Sequence, residues 1–293
     1  MAERNHPRRC GGNLGSLLLL AACAWWLAGC DGTPFDALVI AHRGASEDAP
    51  ENTLAAFELA WEHGADGVEG DFYLTADDQI VCIHDKDTAR TAGAKLAVAD
   101  STLAELRELD VGTWKDPRWA GQRIPTLAEV LATVPEGRRI YLEVKCGPEI
   151  VGRLEPIIAA SGLGAEQVVI ISFSEAVIAE AGRSLPQFKR LWLTGFEEDE
   201  ETGSWRPTAE EAVATLDRIG ADGLSCKAHD CVDGAFVAAI RASGREFHVW
   251  TINGAVAARR FARLGADSIT TDRPRWLRRQ LGRPAGQSST GPG

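Results

Sequence analysis

The sequence predicts a (β/α)8 TIM barrel with a small insertion after the second strand. One ground is a phrase that recurs. Gly64-Ala65-Asp66-Gly67-Val68-Glu69 is echoed by Gly220-Ala221-Asp222-Gly223-Leu224-Ser225 and again by Gly265-Ala266-Asp267-Ser268-Ile269-Thr270. Each copy follows an apolar helical stretch and precedes a short β-branched or apolar run, and glycine suits the left-handed position that ends a helix. A second ground is the strand count. Short candidates lie near 38–41, 67–74, 140–144, 168–172, 189–193, 222–225, 247–250 and 268–270, with helical patterns between most of them. The third is the set of capping boxes, Thr102 to Glu105, Thr126 to Glu129 and Thr208 to Glu211, that mark helix starts. Alternation of this kind over about 250 residues points to a closed barrel. A doubly wound open sheet is the alternative, but no Gly-x-Gly-x-x-Gly turn follows the first strand.

Taken in order, the chain opens with a leader over residues 1–29. Arg4, Arg8 and Arg9 form a basic region, and Leu14 to Leu27 is an apolar run too short for a comfortable membrane span. It ends in Leu27-Ala28-Gly29-Cys30, which resembles a bacterial lipobox with Cys30 as the lipidated residue. An uncleaved N-terminal anchor is the competing reading. Export to a periplasmic or extracytoplasmic face, with membrane attachment through the lipid, is the expectation. Residues 30–37 would then be a linker, 38–280 the folded domain and 281–293 a disordered tail rich in Pro, Gly and Ser.

The charge excludes one class of partner. The chain carries a net −11, and the leader holds three arginines against Glu3, so the remainder carries −13. An acidic surface argues against nucleic acid and against electrostatic docking on anionic lipid. Beyond the leader and Cys30, four cysteines remain: Cys82, Cys146, Cys226 and Cys231. Cys226 and Cys231 could pair in an exported protein, and buried free thiols fit equally well.

Within the domain, Asp77-Asp78-Gln79 predicts a hairpin turn that adds a strand at 80–84. The stretch from about 85 to 125 is long for one connection and reads as an insertion over the site. The chemistry-bearing residues stand at strand ends, where barrels place their sites. His42 and Arg43 end the first strand. Glu69 and Asp71, two apart, share one face of the second. Glu143 ends the next, with Lys145 two residues on, and His84 ends the hairpin strand. Carboxylates converging in a barrel repel unless a cation lies between them. Three oxygen ligands without cysteine suit Ca²⁺ or Mg²⁺ better than zinc. Each residue alone has a bland reading as a strand edge, a loop histidine or an ion-pair partner. Their coincidence at strand ends is what makes a site. Trp250, at the end of the seventh barrel strand, is either a wall of that site or barrel packing.

The same residues carry a resemblance. His42-Arg43-Gly44, Pro50-Glu51-Asn52-Thr53, Glu69-x-Asp71, His84-Asp85 and Glu143-x-Lys145 stand in the order seen in glycerophosphodiester phosphodiesterases. Gly121 to Val130, Val249 to Asn253 and Thr271 to Pro274 extend the likeness across about residues 38–280, while Asp87-Thr-Ala-Arg-Thr91 does not keep the family spacing. The resemblance implies that Glu69, Asp71 and Glu143 bind one divalent cation and that His42 and His84 are the acid/base pair. It implies that Arg43 and Lys145 bind phosphate, with Glu51 a carboxylate beside them. The substrate implied is a small glycerophosphodiester, cleaved through attack of a free glycerol hydroxyl and a cyclic phosphate that water then opens. A phospholipase D-like or lysophospholipid phosphodiesterase on the same barrel is the neighbouring reading, and a non-catalytic binding lipoprotein a remoter one. One departure is Gly70, where the family commonly has a larger residue; looser local packing is expected there.

Overall fold

In the computed structural model the described residues are 1–2 and 35–283. Cys30, nearly all of the leader, residues 30–34 of the expected linker and residues 284–293 of the expected tail lie outside them. Eleven strands occur among the described residues: β1 (Leu38–His42), β2 (Gly67–Leu74), β3 (Ile80–Cys82), β4 (Arg139–Val144), β5 (Val168–Ser172), β6 (Lys189–Thr194), β7 (Glu197–Glu198), β8 (Trp205–Arg206), β9 (Gly223–Lys227), β10 (Glu246–Trp250) and β11 (Ser268–Thr271). Eight of them run parallel in the order β1-β2-β4-β5-β6-β9-β10-β11, and β11 pairs back to β1, so the barrel closes.

Closure explains the composition of the strands. Their residues are buried on both faces, so they read as nearly continuous apolar runs. Ile40, Tyr141, Val169, Ile171, Leu191 and Leu193 fill the inside. The outward-facing set packs against the surrounding helices in two clusters, one around Phe57, Phe72 and Leu142 and the other around Phe247, Phe261 and Ile269. All three expected capping boxes form, at the starts of helices Leu103–Arg107, Leu127–Leu131 and Ala209–Ile219.

β3 pairs antiparallel with β2 across the Asp77–Gln79 turn, but ends at Cys82, so His84 stands two residues past the strand. The segment after it holds short helices and a small core of its own, including Val98, Leu106 and Ile124. The β7–β8 hairpin has no counterpart in the sequence reading. Its strands are two residues each and lie exposed, so no apolar alternation marks them.

Both domain boundaries need moving outward. Ala37, assigned to the linker, is buried, and Phe35 N–H donates to the Leu281 carbonyl at 3.4 Å. Leu281 and Arg283, assigned to the tail, are held in place: Leu281 is 1% exposed and Arg283 pairs with Asp66 at 2.8 Å. Asp66 is a hub at the N-terminal end of the barrel. It accepts from the Val39 backbone N–H at 2.9 Å and pairs with Arg138, Arg278 and Arg283. Cys82, Cys146, Cys226 and Cys231 are all free thiols, so the possible Cys226–Cys231 bridge is not formed.

Gly70 also departs from expectation. The space a side chain would take is filled, not loose: a Cβ there would stand 3.1 Å from Phe57 and 3.2 Å from the Cys82 sulfur.

Candidate active site

The site gathers where the parallel strands end. The register sets His42 beside Glu69 and Asp71 beside Glu143, so three adjacent strands deliver their charged ends to one place. A cavity of about 170 Å³ opens there, lined by His42, Arg43, Glu69, His84, Glu143, Lys145 and Trp250 among others. Asp71 lies fully buried beneath, and Glu51 borders a small neighbouring cleft that it shares with His84. Every sequence-assigned site residue within the described chain is therefore on or next to one cavity.

Ligand oxygens of Glu69, Asp71 and Glu143 lie within 4.8 Å of one another. Glu69 Oε1 and Asp71 Oδ1 are buried without a hydrogen-bond partner, although the Lys145 ammonium stands 3.4 Å from Asp71 Oδ1. Buried acceptors left unsatisfied are costly unless a ligand completes them. Burial and the neighbouring Asp71 push Glu69 up to about 8. Burial also raises Glu143. Asp71 goes the other way: burial opposes it, but Arg43, Lys145 and His84 together hold its carboxyl below the usual range. An all-oxygen cluster of this kind fits a hard divalent cation.

Two cations brace the cluster. Arg43 has φ +56°, which turns its backbone N–H onto Glu69 Oε2 at 2.9 Å and its guanidinium onto Asp71 (3.2 Å) and Glu51 (2.9 Å). Gly44, at φ +80°, makes that turn possible; a Cβ there would stand 2.5 Å from the Ala56 backbone. Lys145 bonds Glu143 at 2.7 Å. Glu51 receives Arg90 on both oxygens, at 2.7 and 2.8 Å, so the insertion ties itself to Arg43 through this one carboxylate.

Each histidine has one ring nitrogen committed to a carboxylate. His42 Nδ1 meets Asp272 Oδ1 at 2.6 Å and His84 Nδ1 meets Asp85 Oδ1 at 2.7 Å. That leaves Nε2 of each free for substrate, the arrangement a general acid or base needs. Burial, the largest influence, lowers His42, but the Asp272 hydrogen bond and the negative charges of Glu69 and Asp272 together outweigh it, and the net direction is up. Burial, helped by Arg43, lowers His84.

Sequence reasoning missed the residues that hold the others. Asp272 also accepts from Ser46 (3.0 Å) and Asn253 (2.5 Å). Asn52, φ +57°, donates to Asp71 Oδ2 at 2.7 Å and accepts from the Asp71 backbone N–H. Asn52 and Asp272 lie inside the motifs Pro50–Thr53 and Thr271–Pro274, and that is the one signal the sequence offers for them. Trp250 combines both of its readings: it lines the cavity, stacks edge-on against Phe173 at 5.5 Å and donates to the Ser225 carbonyl at 3.1 Å.

Three buried carboxylates, two carboxylate-bound histidines and two cations, on the C-terminal ends of barrel strands, form a site for an anionic ester. Residues 42–275 match the glycerophosphoryl diester phosphodiesterase family, and the chain belongs to it. A glycerophosphodiester phosphodiesterase of Caldanaerobacter subterraneus is 33% identical over 247 residues, covering 82% of this chain and 96% of that one. One from Bacillus subtilis is 30% identical over 258 residues, covering 83% and 85%. Among solved structures, an Oleispira antarctica phosphodiesterase in complex with the product sn-glycerol-3-phosphate superposes with TM-score 0.74 at 28% identity, covering 83% of this chain and 96% of that chain.

Proposed function

We propose that this protein hydrolyses glycerophosphodiesters to sn-glycerol 3-phosphate and an alcohol, with one divalent cation, Ca²⁺ or Mg²⁺, held by Glu69, Asp71 and Glu143. The single observation that carries this is the shared cavity of His42 and His84, each with Nδ1 on a carboxylate, beside that acidic cluster. The relatives' names and the product in the Oleispira structure support it. The cation would supply positive charge for the phosphoryl oxygens, as such ions do.

The protein's own groups do the rest. Arg43 and Lys145 draw the diester in and offset the charge that grows on it. One histidine takes the proton from the glycerol hydroxyl as that oxygen bonds to phosphorus. The other gives a proton to the alkoxide as its bond to phosphorus breaks. Water then opens the cyclic phosphate with the roles reversed.

A second reading concerns the alcohol. Between residues 35 and 283, the large exposed hydrophobics are Trp114, Phe173, Trp205 and Val256, and Phe173 directly follows the C-terminal end of β5 and lines the cavity. That favours lysophospholipids as additional substrates, in keeping with an exported, lipid-anchored protein attached through Cys30. No helix among the described residues is long and apolar enough to cross a membrane.

The test is an assay of glycerol 3-phosphate release from glycerophosphocholine with Ca²⁺ or Mg²⁺, with and without chelator. Release that the chelator abolishes is expected. No release from any glycerophosphodiester sinks the activity, and chelator-insensitive release sinks the cation.

A further inference from the structure

The recurring phrase of the sequence marks a second feature of the cavity. Its sixth residue is Glu69 on β2, Ser225 on β9 and Thr270 on β11. All three line the cavity, so equivalent inward positions carry a cluster carboxylate on one strand and hydroxyls on two others. Ser225 and Thr270 are 5% and 9% exposed. Neither side-chain oxygen has a hydrogen-bond partner among the described residues. Ser268 differs: its hydroxyl is spent on His248 at 2.7 Å. Buried hydroxyls that face a cavity and bond nothing are available for a ligand.

Size and chemistry select the ligand. At about 170 Å³ the cavity is comparable to an engineered void of ~150 Å³ that holds benzene. There is room in it for a small arm of the substrate, and the chemistry of the wall decides which one. Two free hydroxyls in a wall shared with Ile171 and Leu193, the latter the register neighbour of Ser225, suit a short carbon chain with a hydroxyl end, and offer nothing specific to a trimethylammonium group. We infer that Ser225 and Thr270 bind the terminal hydroxymethyl of the glycerol arm, seating that arm in the barrel and leaving the alcohol to point out past the insertion. This rests on the glycerophosphodiesterase reading above.

The test compares kcat/KM on glycerophosphocholine with that on 2-hydroxyethyl phosphocholine, which keeps the attacking hydroxyl and lacks the terminal hydroxymethyl. Wild type is expected to prefer the first. Ser225→Ala and Thr270→Val should each reduce the preference roughly three- to tenfold, chiefly through KM. Ser225→Thr and Thr270→Ser, which keep a hydroxyl, should restore most of it; a merely structural role would not follow the hydroxyl in this way. Preference retained by the Ser225→Ala/Thr270→Val double variant overturns the subsite while leaving the activity standing. A double variant that instead alters choline-against-ethanolamine preference also overturns it, since the pocket would then hold the alcohol. A wild type that releases glycerol 3-phosphate from no glycerophosphodiester overturns the activity and the subsite together.

Discussion

At the scale of single residues, the site depends on how its charged groups are held. His42→Ala and His84→Ala should each lower kcat by about 10² or more, read as steady-state turnover of glycerophosphocholine. Asp272 acts through His42 and is a positioning residue. Asp272→Asn should lower kcat by about tenfold or more with KM close to wild type, because an amide does not fix the ring's tautomer and orientation as a carboxylate does. A raised KM with kcat intact would instead place Asp272 against the substrate. The residues proposed for catalysis and cation binding were legible because they fall on or just past the ends of strands, where charge needs a reason. Asp272 was not, since it lies 230 residues from His42 and meets it only when the barrel closes. Asn52 was hidden differently: an amide in a turn looks like any turn amide until its partner, Asp71, is known.

At the scale of elements, the turn after β1 and the outer face of β2 leave little room for a side chain. Gly44→Ala would drive a Cβ into the Ala56 backbone and demand an uncommon φ at once. Loss of turnover together with a lowered urea midpoint is expected; turnover near wild type would mean that Arg43 does not need this turn. Gly70→Ala meets Phe57 and Cys82, so about 1–3 kcal/mol of destabilisation is expected by urea unfolding, with turnover per folded molecule kept. Strands were readable because burial on both faces makes their sequence apolar, and helix starts because Thr-x-x-Glu has a mechanism. The β7–β8 hairpin and the folded turns of the insertion were not, because they are short, polar and held by contacts distant in sequence.

At the scale of the molecule, two ends of the barrel do different work. The N-terminal end is closed by Asp66, which joins the β1 backbone to Arg138 and to the C-terminal Arg278 and Arg283. Asp66→Ala should cost about 3–5 kcal/mol in unfolding free energy, since it removes a buried carboxylate that pairs with three arginines and accepts from the Val39 backbone N–H. A loss under 1 kcal/mol would show that the network is not what closes the ring. The same residues explain why the domain boundaries were drawn too tightly. Arg283 reads as part of a polar tail until its partner in the first phrase, Asp66, is brought beside it.

The other end gathers the chemistry, and its centre is the acidic cluster. Calorimetric titration of metal-free protein with Ca²⁺ and Mg²⁺, run beside the turnover assay on wild type and Asp71→Asn, reaches that centre most directly. One cation bound per chain is expected, with turnover rising along the same saturation curve and both binding and turnover lost in the variant. Turnover that persists without any bound cation would contradict the assignment of Glu69, Asp71 and Glu143.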